Sequence, residues 1–234
     1  MRKQIPNIVT LLNLFSGCIA IVMAFQGNFK AVVLWVAAAA LFDFLDGLAA
    51  RLLKSYSPIG KELDSLADVV SFGVAPAAAV FILLRDYSLI PGYLEPLHPL
   101  LPYLAFFIPV FGAYRLAKFN IDERQTTSFL GLPIPSNGLF WISYCYGMTG
   151  VAASNEYIFY LTAGLIILMS LLMISEIPMF SLKIKELAFK GTEKQILLVV
   201  LMILFVAFLG IAGAAWGIVA YILLSISTYH KDVK

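Results

Sequence analysis

The sequence predicts an all-α, polytopic membrane helix bundle of about eight transmembrane helices, with both termini cytoplasmic. Three observations carry that reading. The 234 residues are 61% hydrophobic and 13% charged, with mean hydropathy +0.91, whereas soluble domains carry about 25% charged residues. Apolar runs recur at the roughly 20-residue length that a helix needs to cross a bilayer. Of the 16 Lys and Arg, all but Lys30 and Arg85 fall in segments that eight spans place on one side, which is the positive-inside asymmetry. A net charge of +2 is too small to suggest a nucleic-acid partner.

The elements follow in chain order. Pro6 suits the first turn of a helix, where its missing N–H has no partner to lose. Helix 1 then covers roughly 7–26 and is apolar except for Asn7, Thr10, Asn13 and Ser16. Its apolar run is too long for the core of a cleaved signal peptide. The four polar residues step along one side, either as helix–helix hydrogen-bonding groups or as a polar face towards a ligand. Gln26-Gly27-Asn28 is a turn. Helix 2 covers 30–54, Ser55 to Gly60 is a loop containing Pro58, and helix 3 covers 61–85. Residues 85–99 are a Pro-rich loop, with Tyr87 and Tyr93 suited to an interfacial aromatic belt.

Further helices are expected at 100–119, 135–152 and 156–175. A polar loop at 121–132 ends in Gly131-Leu132-Pro133-Ile134-Pro135, and a basic loop at 176–194 carries Lys183, Lys185, Lys190 and Lys194. The run 195–227 is too long for one span. Gly210 and Gly213 point to a hairpin of 195–209 and 212–227, with one steeply kinked helix as the alternative. The chain thus divides into a six-helix domain, 1–190, and a C-terminal hairpin, 191–234. Cys18 and Cys145 lie in apolar spans without metal-type spacing, and read as buried free thiols.

The informative stretch runs from Asp43 to Asp68. Asp43 and Asp46 are three apart, and Asp64 and Asp68 four apart, so each pair shares one helix face. The flanking runs, Ala31–Phe42 and Val69–Leu84, are uncharged. A carboxylate at membrane depth costs roughly 2.5–3.5 kcal/mol on insertion scales, and such residues mark function by default. Four together repel one another, and a divalent metal relieves that. With no Cys or His nearby, the hard oxygen donors suit Mg²⁺ or Mn²⁺ rather than Zn²⁺.

The spacing Asp43-x2-Asp46-Gly47-x2-Ala50-Arg51-x8-Gly60-x3-Asp64-x3-Asp68 resembles the signature of the CDP-alcohol phosphotransferase family, with every signature position filled. The continuation Ala67-Asp68-Val69-Val70-Ser71-Phe72-Gly73-Val74-Ala75-Pro76 is similar to the serine-using branch of that family. So are Arg115-Leu116-Ala117-x-Phe119-Asn120 and the later Gly-Leu-Pro-x-Pro, although Lys118 stands where Arg is more usual. The resemblance covers roughly residues 1–190.

The resemblance implies transfer of a phosphatidyl group from CDP-diacylglycerol to the hydroxyl of L-serine, releasing CMP. It implies two metal ions held by Asp43, Asp46, Asp64 and Asp68, with Asp43 and Asp64 shared and Asp68 also the base for the incoming hydroxyl. The Pro-Asn-x-x-Thr start is similar to the segment that contacts the CDP group, which brings in Asn7, Thr10 and Asn13. Gly47, Ala50 and Gly60 are small enough for close approach of the nucleotide, and Ser57 matches a hydroxyl near the diphosphate. Arg51 either grips the pyrophosphate or snorkels to the interface. Arg115, and Lys118 after it, either bind the serine carboxylate or serve as interfacial anchors.

The expected setting is the cell membrane, with the active site at the cytoplasmic face and, by resemblance, a homodimer. Glycerol 3-phosphate or an inositol phosphate is the alternative acceptor. From another class, a divalent-cation transporter would place its acids near the bilayer midplane in broken, repeated helices.

Overall fold

The computed structural model describes residues 4–87, 92–122, 129–149, 151, 157–180 and 193–232. Helices α1 (Ile5–Phe25) and α2 (Phe29–Leu52) come first. A single continuous rod follows: α3 (Pro58–Asp68), a π-helical segment (Val69–Val74) and α4 (Ala75–Arg85). Two 3₁₀ turns, Gly92–Leu97 and Leu101–Phe106, lead into α5 (Phe107–Ile121). Then come β1 (Phe129–Leu130), α6 (Ile134–Met148), α7 (Tyr157–Ile174), β2 (Pro178–Met179), α8 (Glu193–Leu209), a 3₁₀ turn (Gly210–Ala212) and α9 (Gly213–Asp232).

Among the described residues, six stretches are long and apolar enough to cross a bilayer: Ile5–Phe25, Phe29–Leu52, Pro58–Arg85, Leu101–Ile121, Tyr157–Ile174 and Lys194–Ser227. Their outward faces expose Phe15, Leu34, Phe44, Val110 and Ile203. So large an apolar surface is the mark of a protein solvated by lipid; this is an integral membrane protein. The core lies around α4 and α6. Val80, Leu83 and Leu84 of α4 are buried, as are Phe140, Trp141 and Tyr144 of α6, whose rings pack on one another.

Helix α1 packs along α2 and against the α3–α4 rod. Its buried stripe is small and polar, with Thr10, Asn13, Ser16, Gly17, Ala20 and Ala24. Small residues let membrane helices approach closely. The Ser71 hydroxyl donates to the Asn13 carbonyl at 3.0 Å, which ties α1 to the π segment. Pro76 explains that segment. Proline has no N–H to donate inside a helix, and the ladder there widens so that the Ala75 N–H reaches the Val70 carbonyl, an i→i−5 bond. The uninterrupted α-helix expected over 61–85 is therefore interrupted immediately after Asp68.

Glycines set the spacing around this segment. A Cβ on Gly138 would lie 2.9 Å from the Phe72 carbonyl oxygen, and one on Gly73 would lie 3.2 Å from Pro109. Backbone cannot give way as a flexible side chain can. Gly138→Ala is expected to destabilise the fold by about 1–3 kcal/mol, the usual range for overpacking. A melting curve in detergent checks this; an unchanged midpoint would mean that α6 is not held against the π segment.

Three expectations are corrected. The third helix begins at Pro58 rather than 61, because the Ser57 hydroxyl caps it by accepting from Gly60 N–H at 3.0 Å. Pro58 and Gly60 thus belong to the first turn, not to a loop. Phe129–Leu130 and Pro178–Met179 pair as a short antiparallel ladder where only loops were expected. Cys145 is buried, but Cys18 is exposed on the outer surface.

Over 195–227 the structure has two helices. Gly210 takes φ +62°, and a Cβ at Gly213 or Gly217 would meet Phe205 or Met202 of α8, so α9 folds back on α8. Lys183, Lys185, Lys190 and Arg124 lie outside the described residues.

Candidate active site

The chain between α2 and α3 is a tight reversal. Lys54 adopts the left-handed region (φ 47°), and Ser55 N–H reaches back to the Ala50 carbonyl at 3.0 Å, a closing bond typical of helix C-termini. Ser57 and Pro58 then start α3 at once. Between α2 and α3, with α1 as floor, lies a cleft of about 230 Å³. Pro6, Asn7 and Thr10 line it from α1, and Asp46, Gly47 and Ala50 from α2. Ser55, Tyr56 and Ser57 line it from the turn, and Gly60, Lys61 and Asp64 from α3.

Beneath it the carboxylates converge. Asp43, Asp64 and Asp68 each present an oxygen within 4.8 Å of the others, and Asp46 adjoins Asp64 and the Thr10 side chain. Asp46 and Asp68 are both 7% exposed. At 1.5 Å per residue, Asp43 sits about 14 Å along α2 from its C-terminal end and Asp68 about 15 Å into α3. Because α3 starts at Pro58, Asp64 and Asp68 lie about a turn further into their helix than the expected boundary put them, whereas α2 ends at Leu52, which leaves Asp43 and Asp46 two residues nearer their helix end than expected.

The donor set fits a hard divalent cation. All candidate ligands are carboxylate oxygens, as Mg²⁺ and Mn²⁺ prefer. Asp46 Oδ2 and Asp64 Oδ1 are buried without a hydrogen-bond partner. Among the described residues no Lys or Arg forms an ion pair with any of the four acids. Buried charge left so poorly matched is costly, and a cation among these oxygens supplies the missing partner.

The other expected site residues divide. Asn7, Thr10, Gly47, Ala50, Ser57 and Gly60 all line the cleft. A Cβ on Gly47 would meet nothing within 4 Å, so it would project into open space. One on Gly60 would lie 3.0 Å from Ser57 Oγ and 3.1 Å from Asn7 Oδ1. Asn13 lies deeper, fully buried, and its Nδ2 donates to Asp68 Oδ1 at 3.4 Å. Arg51 is exposed in the last turn of α2, outside the cleft lining.

Arg115 and Lys118 differ. Arg115 is 6% exposed, has no hydrogen-bond partner at Nε or Nη2, and places its guanidinium 5.3 Å from the Phe119 ring centroid. It lies within electrostatic reach of Asp68 and of Tyr221 on α9. Lys118, more exposed, is paired with Glu176 at 3.6 Å. Nearby, Lys61 Nζ donates to the Asn120 carbonyl at 2.9 Å, and Asn120 Nδ2 to Ser65 Oγ at 2.9 Å, so the end of α5 is fastened to α3. Tyr56, Lys61 and Tyr221 escaped the sequence reading. The first two sit inside the signature span but off its fixed positions, and α9 carries no pattern that points to a site.

A sequence model described as CDP-alcohol phosphatidyltransferase matches residues 3–182. The chain is similar to a CDP-diacylglycerol–serine O-phosphatidyltransferase of Methanocaldococcus jannaschii, 34% identical over 218 residues, 93% of this chain and 94% of the relative. A Bacillus subtilis protein of the same name is 37% identical over 137 residues, 58% of this chain and 72% of the relative. An archaetidylserine synthase of Methanothermobacter thermautotrophicus is 34% identical over 183 residues, 74% of this chain and 68% of the relative.

Proposed function

The chain belongs to the CDP-alcohol phosphatidyltransferase family, and from that premise we propose that it transfers the phosphatidyl group of CDP-diacylglycerol to the hydroxyl of L-serine, releasing CMP. The observation that carries the reading is the carboxylate cluster beneath an open cleft, with the buried Arg115 guanidinium within electrostatic reach of Asp68. Serine recurs in the names of all three relatives.

In this reading the CDP group enters the cleft along Gly47, Ala50 and Gly60, whose missing or short side chains let the nucleotide reach backbone. Asn7 and Thr10 offer hydrogen bonds from the floor, with Ser57 beside the diphosphate, Asn13 acting from below through Asp68, and Arg51 covering the mouth. Asp43, Asp46, Asp64 and Asp68 would hold two Mg²⁺ or Mn²⁺ ions, which when bound neutralise the diphosphate oxygens and favour displacement at phosphorus. Asp68 receives the proton of the serine hydroxyl as the new O–P bond forms and the bond to CMP breaks. Asn13 Nδ2 engages Asp68 Oδ1, which leaves Oδ2 for that proton. A carboxylate so held within hydrogen-bond reach can act as general base. Arg115 receives the serine carboxylate, with Lys118 as a secondary cation. The domain at 1–190 carries this chemistry and the hairpin at 191–234 packs beside it.

The setting we propose is the cell membrane, with the cleft open to the cytoplasm, both termini on that side, and a homodimer as the assembly. Glycerol 3-phosphate or an inositol phosphate would need a denser cationic pocket, and Arg115 is the one buried cation among the described residues. A cation transporter would move metal across sealed vesicles without lipid turnover.

The test is Arg115→Ala. Losing a buried partner of a carboxylate is expected to raise the KM for serine about 100-fold, with the KM for CDP-diacylglycerol unchanged. Matched losses for both substrates would remove Arg115 from the acceptor site.

A further inference from the structure

We propose that Lys61 binds the phosphate that leaves with CMP, as a substrate-binding cation that lies off the fixed positions of the signature. The inference rests on the CDP group occupying the cleft between α2 and α3. Among the described residues lining that cleft, Lys61 is the only Lys or Arg. Arg51 stands outside the lining, and Arg115 is buried on α5. A diphosphate seated there meets one side-chain cation.

The ammonium is held but not neutralised. Its Nζ donates to the Asn120 carbonyl at 2.9 Å. An ammonium has three protons to donate, and a carbonyl carries no net charge. That bond therefore fixes the group and leaves two donors and the whole positive charge. Asp46 and Asp64 line the same cleft, yet among the described residues no carboxylate lies within ion-pair distance of Lys61. Nor is the bond needed to fasten α5 to α3, because the Asn120 side chain already does so through Ser65 Oγ at 2.9 Å. Helix physics sharpens the point. Lys61 stands fourth in α3, at the end of a first turn that holds no acid, where the helix dipole disfavours a cation. An anion in the cleft reverses that balance, since the helix end and the lysine then attract it together.

Lys61 precedes Asp64 by three residues, about 4.5 Å along the axis towards the start of α3. In the proposed reaction the acids beneath hold the reacting phosphate, so Lys61 meets the phosphate nearer the nucleotide. As the serine oxygen bonds to the phosphatidyl phosphorus, the bond from that phosphorus to the bridging oxygen breaks. Its electron pair stays on the oxygen that leaves with CMP. The ammonium offsets that growing charge and keeps its own protons.

Lys61→Met keeps the bulk of the side chain and removes the charge. In full-length protein assayed with Mn²⁺ in mixed micelles, it is expected to raise the KM for CDP-diacylglycerol and the inhibition constant of CMP about 10-fold each, the scale of one hydrogen bond to a charged group. The serine KM stays near wild type. Lys61→Arg, which keeps the charge and the donors, recovers most of the loss. Ser65→Ala cuts the other link between α5 and α3, and should move neither the KM for CDP-diacylglycerol nor the inhibition by CMP.

If K61M and S65A behave alike, both melting lower and both raising the serine KM with CMP inhibition intact, Lys61 is only a fastener and the inference is overturned. An unchanged CMP inhibition constant in an active K61M protein also overturns it, while the proposed reaction stands. Wild-type protein that releases no CMP from CDP-diacylglycerol in the presence of serine would sink the reaction, and the inference with it.

Discussion

Asp43→Asn is expected to lower serine-dependent CMP release by about 1000-fold, the scale of roughly 4 kcal/mol of lost charge stabilisation at the reacting phosphate. Asp43 stands with Asp64 and Asp68 in the group whose oxygens lie within 4.8 Å of one another. Asparagine keeps the shape and removes one anionic ligand. Stability should move the other way. In the presence of chelator, one fewer of four mutually repelling carboxylates relieves the cluster, so the variant melts no lower than wild type. Mn²⁺ should raise the melting temperature of wild type by preferential binding to the folded state, and raise that of the variant less. Near-normal CMP release by Asp43→Asn, or an equal Mn²⁺ shift in both proteins, would contradict the metal assignment.

Asp68→Asn should fail differently. Removing a general base typically costs 10²–10⁴ in rate, so kcat is expected to fall about 1000-fold. In the proposed site Asp68 is a ligand as well as the base, but the shared ligands Asp43 and Asp64 remain, so the Mn²⁺ shift in melting temperature should fall less than in Asp43→Asn. A large loss of rate with a smaller loss of the Mn²⁺ shift is the signature of the proton-accepting role. Single-turnover release of CMP measures the chemical step without product release. A variant that retains wild-type single-turnover rates would show that the hydroxyl proton leaves by another route.

The helical plan was legible because membrane spans announce themselves by apolar length, and because Gly27 and Gly210 sit at turns that take positive φ. The acid cluster was legible for a similar reason. Spacings of three and four put Asp43 with Asp46 and Asp64 with Asp68, and a short connection forces α2 and α3 to bring the pairs to the same level. What local pattern could not give was contact between distant segments. Asn13 reaches Asp68 across 55 positions and Lys61 reaches Asn120 across 59. Tyr221 reaches the Phe180 carbonyl across 41 positions, from a helix whose sequence looks like any apolar span. The π segment left a trace in Pro76, inside a helix and eight residues past Asp68. Reading that trace required knowing that the rod stays continuous, which depends on Gly138 and Gly17 packing against it.

The most direct measurement is CMP release from CDP-diacylglycerol by the purified protein, with serine and Mn²⁺ each present or withheld. Formation of CMP together with phosphatidylserine only when both are supplied, and its abolition by chelator, is the predicted result. Undiminished turnover after the cations are stripped, or CMP formed at the same rate with no serine in the micelles, would contradict the account.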